Sequence, residues 1–80
     1  MYYVYIIRSE NYPEQIYVGI TANLKKRLVN HNAGSTVHTA KYRPWKLKVF
    51  VAFSDQEKAL SFEMYLKSGS GRAFCAKRLI

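Results

Sequence analysis

Apolar side chains occupy both faces of the first strand-like run in the chain. Residues 2–7, Tyr-Tyr-Val-Tyr-Ile-Ile, are aromatic or β-branched throughout, a pattern that fits a central strand buried on both sides. Ser9 to Pro13 carries turn residues, and Gln15 to Ile20 reads as a second strand, close enough to pair with the first as an antiparallel hairpin. From Leu24 the spacing becomes helical, with Leu24 and Leu28 on one face. Thr21 or Asn23 can cap this helix, and Gly34 marks its end. Gly34 to Pro44 reads as a polar, basic loop. Trp45 to Phe53 alternates as a third strand, with Leu47, Val49 and Val51 on one face. Ser54-Asp55-Gln56-Glu57 then has the form of a capping box, Ser54 capping and Glu57 reaching back. The helix it opens runs to about Lys67 and stops at Ser68-Gly69-Ser70-Gly71, and Arg72 to Ile80 has the composition of a short basic helix. The expected order is β-β-α-β-α with room for a short C-terminal helix. The economical packing is an α+β fold, a small three-stranded antiparallel sheet flanked by helices. No repeat, linker or low-complexity segment interrupts it, so residues 1–80 are expected to form one domain.

Composition narrows the functional classes. A hydrophobic fraction of 49% in 80 residues excludes a disordered basic tail. Thirteen Lys and Arg against five Asp and Glu give a net charge of +8. Such an excess on a small domain points to a polyanionic partner, nucleic acid before an anionic membrane surface; the bland alternative is a merely basic protein. The single cysteine, Cys75, allows no intramolecular disulfide and no multi-cysteine zinc site. No apolar run approaches the roughly 20 residues that span a bilayer, and the N-terminus lacks a signal-peptide pattern. The expectation is a soluble, cytoplasmic protein.

Carboxylates are scarce, which shortens the search for chemistry. Glu10 and Glu14 flank the first turn, and Asp55 and Glu57 are explained by capping. Glu63 remains, with Ala59, Leu60, Leu66 and Lys67 as its helical neighbours. It lies on or beside the buried face, where an unpaired carboxylate is costly; an i,i+4 pair with Lys67 is the structural alternative to a functional role. Arg27 and His31 share a helix face beside Leu24 and Leu28, able to clamp a phosphate and to exchange a proton, or simply to be solvated with Lys25 and Lys26. Tyr3 and Tyr5 point to one side of the first strand and Tyr17 sits on its partner. Tyr2, Tyr3, Tyr12 and Tyr42 are expected to be half-buried packing residues. Gly19, inside a strand, hints at a bulge or a close backbone approach.

Tyr3-Val4-Tyr5, Tyr17-Val18-Gly19, Asn23-Leu24-Lys25-Lys26-Arg27 with His31 beyond it, and a later helix bearing Glu63 together resemble a GIY-YIG (URI) nuclease domain over essentially the whole chain. The likeness is to small stand-alone members and to the nuclease domain of the bacterial excision-repair incision subunit. It implies that Tyr5 and Tyr17 are the motif tyrosines, Gly19 the motif glycine, Arg27 the catalytic arginine, His31 a position held by His or Tyr, and Glu63 the metal ligand. Tyr3 stands where the first motif has glycine, and Ile20 where repair-type relatives can carry lysine. An asparagine that some relatives place after the glutamate helix has no clear counterpart.

The resemblance implies a metal-dependent DNA endonuclease. Glu63 would hold one Mg²⁺ or Mn²⁺, Arg27 would offset phosphate charge, Tyr17 would act as base assisted by Arg27 and His31, and Tyr5 would orient the water or contact the phosphate. With no second carboxylate, a two-metal site is disfavoured. The five residues are expected to converge on one concave face of the sheet. Lys25, Lys26, His38, Lys41, Arg43, Arg72, Lys77 and Arg78 are expected to form the phosphate-binding surface. The alternatives are a nucleic-acid-binding module of the same fold with little or no catalysis, and a basic protein-interaction module.

Overall fold

A computed structural model describes all residues, 1–80. Strand β1 (Tyr2–Ser9) lies between β2 (Ile16–Thr21) and β3 (Trp45–Phe53), antiparallel to both, in the order β2-β1-β3. Its central place explains its composition. Even-numbered side chains Val4 and Ile6 are buried with Ala59, Leu66 and Cys75 on one side of the sheet. Odd-numbered Tyr5 and Ile7 are buried with Trp45 on the other. The α+β expectation and its element order hold.

Helix α1 (Leu24–Ala33) covers the second side through Leu24 and Leu28. Asn23, not Thr21, is its cap, with Oδ1 accepting from Lys26 N at 3.0 Å, and Gly34 closes it in the left-handed conformation at φ 81°. Helix α3 (Gln56–Lys67) covers the first side through Ala59 and Leu66. No helix is long and apolar enough to cross a membrane.

Five local expectations need correction. The segment from Gly34 to Pro44 is not all loop: Val37–Ala40 forms a short helix, α2, with Thr39 buried beneath it. The cap of α3 is Asp55, whose side chain accepts from Glu57 N at 2.9 Å. Ser54 lies one residue too early, because Asp55 is the last residue with extended dihedrals. Ser68-Gly69-Ser70-Gly71 does not end the helical region. Ser68 closes α3 and caps α4 (Gly69–Phe74), its Oγ accepting from Gly71 N at 3.1 Å, and a π-helical turn, Cys75–Leu79, follows. Gly71 makes the corner tight: a Cβ there would stand 2.5 Å from the Tyr65 carbonyl carbon. Finally, Leu47 does not share a face with Val49. The β1–β3 register shifts between Ile6 and Ile7, which pair with Val49 and Leu47. The extra residue, Lys48, is a bulge that sends Leu47 to the Tyr5 side and Val49 to the Val4 side. Among the packing tyrosines Tyr2, Tyr3 and Tyr42 are half-buried, whereas Tyr12 is exposed.

The two cap assignments separate in a simple experiment. Asp55→Ala should lower the stability to urea by about 1 kcal/mol, the usual loss for an N-cap side chain. Ser54→Ala should leave the urea midpoint nearly unchanged; a larger loss from Ser54→Ala would contradict the assignment.

Candidate active site

The cluster begins with strand register. Tyr5 pairs with Gly19 across the β1–β2 ladder, and Ile7 pairs with Tyr17. Tyr5 and Tyr17 therefore face the same side, with ring centroids 6.4 Å apart. Directly paired residues have their Cβ atoms only about 4.5–5.5 Å apart, so the Tyr5 ring runs over whatever occupies position 19. A Cβ on Gly19 would lie 2.5 Å from Tyr5 Cζ and would overlap the hydroxyl. The close approach anticipated at Gly19 is that of a side chain of the same protein. The glycine lets Tyr5 pass over the edge strand.

Helix α1 delivers the partners. Arg27 and His31, one turn apart, both reach the Tyr5 hydroxyl: Arg27 Nε donates to it at 3.2 Å, and His31 Nε2 lies 2.8 Å away. His31 is fully buried, and its other ring nitrogen, Nδ1, sits 2.8 Å from Thr39 Oγ1. The Tyr17 ring packs edge-on against His31 at 5.1 Å. The hydrogen-bonding partner of His31 is thus Tyr5 and not Tyr17, although both tyrosines touch it.

Behind this row a second one holds it. Thr39 carbonyl accepts from Trp45 Nε1 at 2.8 Å. The Asn32 amide grips the Trp45 backbone twice, Oδ1 accepting from Trp45 N at 2.5 Å and Nδ2 donating to Trp45 O at 3.1 Å. Thr39, Asn32 and Trp45 escaped the reading of the sequence. The signal for Thr39 was slight: a small hydroxyl residue eight positions after a histidine, in a stretch that looked like loop.

Burial and charge set the protonation states. Burial raises the Tyr5 hydroxyl pKa above its ordinary value, against the lowering effect of Arg27 and with small additions from Tyr17 and Glu63. The hydrogen bond to Tyr5 raises Arg27, against burial, with Tyr17 adding to it. Burial, then the Arg27 charge, lowers His31 below its usual value of 6.5. Near neutral pH the row holds one cation, Arg27, beside a neutral His31 and a protonated Tyr5.

Glu63 comes from elsewhere. It stands on α3, whose buried residues pack on the opposite side of the sheet from Tyr5 and α1. Tyr5, Tyr17, Arg27 and His31 share one side of the sheet, and Glu63 comes from the helix layer on the other. Helix α3 packs over β1 and the edge strand β2, and the Glu63 charge is felt at Tyr5. Its side chain is 14% exposed, and Oε2 accepts from Lys67 Nζ at 3.1 Å. The i,i+4 pair weighed as the structural alternative is therefore present. No cluster of three His, Cys, Asp or Glu side chains could hold a metal by itself.

The eight expected phosphate contacts are all exposed and come from two groups of elements. Lys25 and Lys26 on α1, with His38, Lys41 and Arg43 on and after α2, belong to the layer that covers Tyr5. Arg72, Lys77 and Arg78 belong to α4 and the π-helical turn, packed with Cys75 on the Val4 side. Arg43 also has a structural position, its guanidinium lying against Gly34 at the end of α1. Lys41 stands 5.2 Å over the Tyr42 ring.

A three-stranded antiparallel sheet that sets a tyrosine of the central strand and one of the edge strand beside an arginine and a histidine of the following helix defines a small α+β domain. Residues 1–77 match the GIY-YIG catalytic domain, and the chain belongs to the GIY-YIG family. It is 35% identical over 72 residues to a UPF0213 protein of Streptococcus pyogenes serotype M5, covering 89% of this chain and 76% of that one. It is 37% identical over 65 residues to the structure-specific endonuclease subunit SLX1 homolog of Giardia intestinalis. That match takes in 76% of this chain but spans only 18% of the Giardia protein. Among solved structures, the solution structure of a UPF0213 protein from Bacillus halodurans superposes with a TM-score of 0.57 at 26% identity, covering 96% of this chain and 84% of that one.

Two outcomes follow from this geometry. Gly19→Ala should destabilise the fold by about 1–3 kcal/mol, the usual cost of overpacking. In a Tyr5→Ala background the same substitution should cost almost nothing, so a double-mutant cycle of unfolding free energies isolates the contact; an equal cost in both backgrounds would place the strain elsewhere. His31 sets the second. Its folded pKa lies below 6.5, so its contribution to stability is present above about pH 6.5 and is lost as the pH falls through the folded value. The slope approaches about 1.4 kcal/mol per pH unit for one proton. His31→Gln should remove that part of the acid loss in unfolding measurements between pH 7 and 5, whereas an unchanged profile would remove His31 as its source.

Proposed function

We propose that the protein is a metal-dependent endonuclease that hydrolyses phosphodiester bonds in DNA, using a single Mg²⁺ or Mn²⁺ ion. The observation that carries this reading is the joining of Arg27, His31 and Tyr5 into one hydrogen-bonded row beside Tyr17, within reach of the Glu63 charge. The likeness to the Giardia structure-specific endonuclease subunit homolog supports a nucleic-acid substrate. The net charge of +8 supports a polyanion of either kind.

The donor set fits a magnesium-like ion. Glu63 brings a hard oxygen ligand, and only its Oε2 is engaged by Lys67. Mg²⁺ is commonly held by one or two carboxylates together with substrate phosphate and waters. When bound, the ion would supply charge stabilisation for the departing 3′ oxygen. The remaining work falls to the chain's own side chains. Arg27 commits Nε to Tyr5 and leaves its terminal nitrogens to the non-bridging phosphate oxygens, where negative charge grows. Tyr17 is half-buried and packs edge-on against His31, and it is the general base assigned to the attacking water. Tyr5, kept protonated by burial, orients rather than abstracts. His31 serves Tyr5, in place of the direct assistance to Tyr17 that the sequence reading expected.

A second reading has one observation in its favour. Lys67 already neutralises Glu63, as it would in a nucleic-acid-binding module with little or no catalysis.

A paired assay separates the two. Plasmid nicking with Mg²⁺ should fall to background in Glu63→Gln, by about 10²–10³-fold in Arg27→Ala, and by about 10²–10⁴-fold in Tyr17→Phe. DNA affinity measured in EDTA should hold or tighten in Glu63→Gln, weaken in Arg27→Ala and stay level in Tyr17→Phe. Undiminished nicking by Glu63→Gln would overturn the one-metal assignment. Binding without nicking by the unmodified protein would establish the binding-module reading.

A further inference from the structure

Thr39 belongs to none of the family motifs in this chain, yet it is 1% exposed and is the sole partner of the fully buried His31 on the side away from Tyr5. Its own surroundings are fixed. Thr39 carbonyl accepts from Trp45 Nε1 at 2.8 Å, and its amide donates to Thr36 O at 3.2 Å. Thr39 Oγ1 also lies 3.4 Å from Thr36 O. These contacts decide a question of direction that heavy-atom distances between His31 and its neighbours leave open.

A neutral histidine has one N–H and one lone pair. If Nε2 carried the hydrogen, it would donate to Tyr5, and the buried Tyr5 O–H would be left without any acceptor among its hydrogen-bonded neighbours. If Nδ1 carries it, every donor has an acceptor. Arg27 Nε–H donates to Tyr5 oxygen, Tyr5 O–H to His31 Nε2, His31 Nδ1–H to Thr39 Oγ1, and Thr39 O–H to the Thr36 carbonyl. A buried donor left unpaired keeps the full cost of its lost hydration, which selects the second arrangement.

We propose that Thr39 is a positioning residue for the reaction: by accepting from His31 Nδ1 it holds the imidazole in the Nδ1–H tautomer and turns the Tyr5 hydroxyl hydrogen away from the substrate. The Tyr5 oxygen then presents only lone pairs to the site. It can accept from Arg27 and from the attacking water, and it cannot donate to a phosphate oxygen. Thr39 thus acts through His31 and Tyr5 on the orientation of the arginine and the water. The catalytic part of this inference rests on the nuclease reading above; the tautomer does not.

The test uses both parts. Ring-nitrogen NMR of the ¹⁵N-histidine-labelled protein should show His31 as the Nδ1–H tautomer, with His38→Gln used to assign the signals. Thr39→Val, close to isosteric but without the hydroxyl, should shift His31 toward the Nε2–H form, and Thr39→Ser should restore the original pattern. In plasmid nicking with Mg²⁺, Thr39→Val should lower kcat by about 10–100-fold, as loss of an outer orienting contact does, with KM little changed. Thr39→Ser should recover most of the rate. An Nε2–H tautomer in the unmodified protein, or full kcat in Thr39→Val, would overturn the proposal. If no form nicks DNA, the nuclease reading fails on its own, and the NMR comparison still decides the direction of the chain.

Discussion

The Tyr5 ring crosses the backbone of Gly19, and most of what makes this sheet edge chemically interesting depends on that crossing. Tyr5 lies in the central strand, where an ordinary side chain would end in apolar packing. Its hydroxyl reaches Arg27 and His31 only because its cross-strand neighbour has no side chain. The tyrosine of one motif and the glycine of the other are therefore one physical unit, joined by register. A slip of the hairpin by one residue would place Val18 or Ile20 opposite Tyr5 and reverse the faces of the whole strand. Val18 and Ile20 pack on the Val4 side and Tyr17 on the Tyr5 side, and this division of β2 between the two faces opposes the slip.

The large features of this arrangement are legible in the chain because they rest on local rules. Two-sided hydrophobicity marked β1 as central, Asn23 and Gly34 bounded α1, and four-residue spacing joined Arg27 to His31. What escaped depended on contacts between distant segments. The Lys48 bulge is invisible in an alternating run, since Leu47, Val49 and Val51 keep the period of two on paper whichever faces they finally take. Helix α2 is only four residues long, too short to show a period, and it is held by His31 and Trp45 rather than by its own propensity. The Ser-Gly-Ser-Gly segment looked like a terminator because its glycines are poor helix formers, yet Gly71 is needed where the helical chain turns against the Tyr65 carbonyl. Glu63 was legible as an odd carboxylate beside the core, but its layer was not, because the helix period says nothing about which side of a sheet the helix covers.

The two layers divide the electrostatics of the domain. On the α1 side the one charge close to the tyrosines is Arg27, and burial keeps His31 and Tyr5 neutral around it. On the α3 side Glu63 is screened by Lys67, and the buried Cys75 thiol is held protonated by burial, against a lowering influence from Arg8. A cation and an anion thus approach the same strand edge from opposite layers without forming an ion pair with each other. A direct Arg27–Glu63 bridge would satisfy both groups and leave neither free to meet a phosphate or a metal ion.

The same separation explains why so small a core can be so polar on one side. The layer beneath α3 is packed with aliphatic and aromatic side chains, from Val4 and Ile6 to Leu66, Phe53 and Phe62. The layer beneath α1 has only three buried hydrophobic side chains, Tyr5, Ile7 and Trp45, and the equally buried His31 and Thr39 lie among them. Polar groups there are tolerable because each is hydrogen-bonded to the next, from Arg27 through to the Thr36 carbonyl. Such a row adds less stability than apolar packing of the same volume, but it fixes direction: each bond specifies which atom donates and which accepts. The domain places its stability beneath α3 and its orientation beneath α1, and β1, buried on both sides, couples the two.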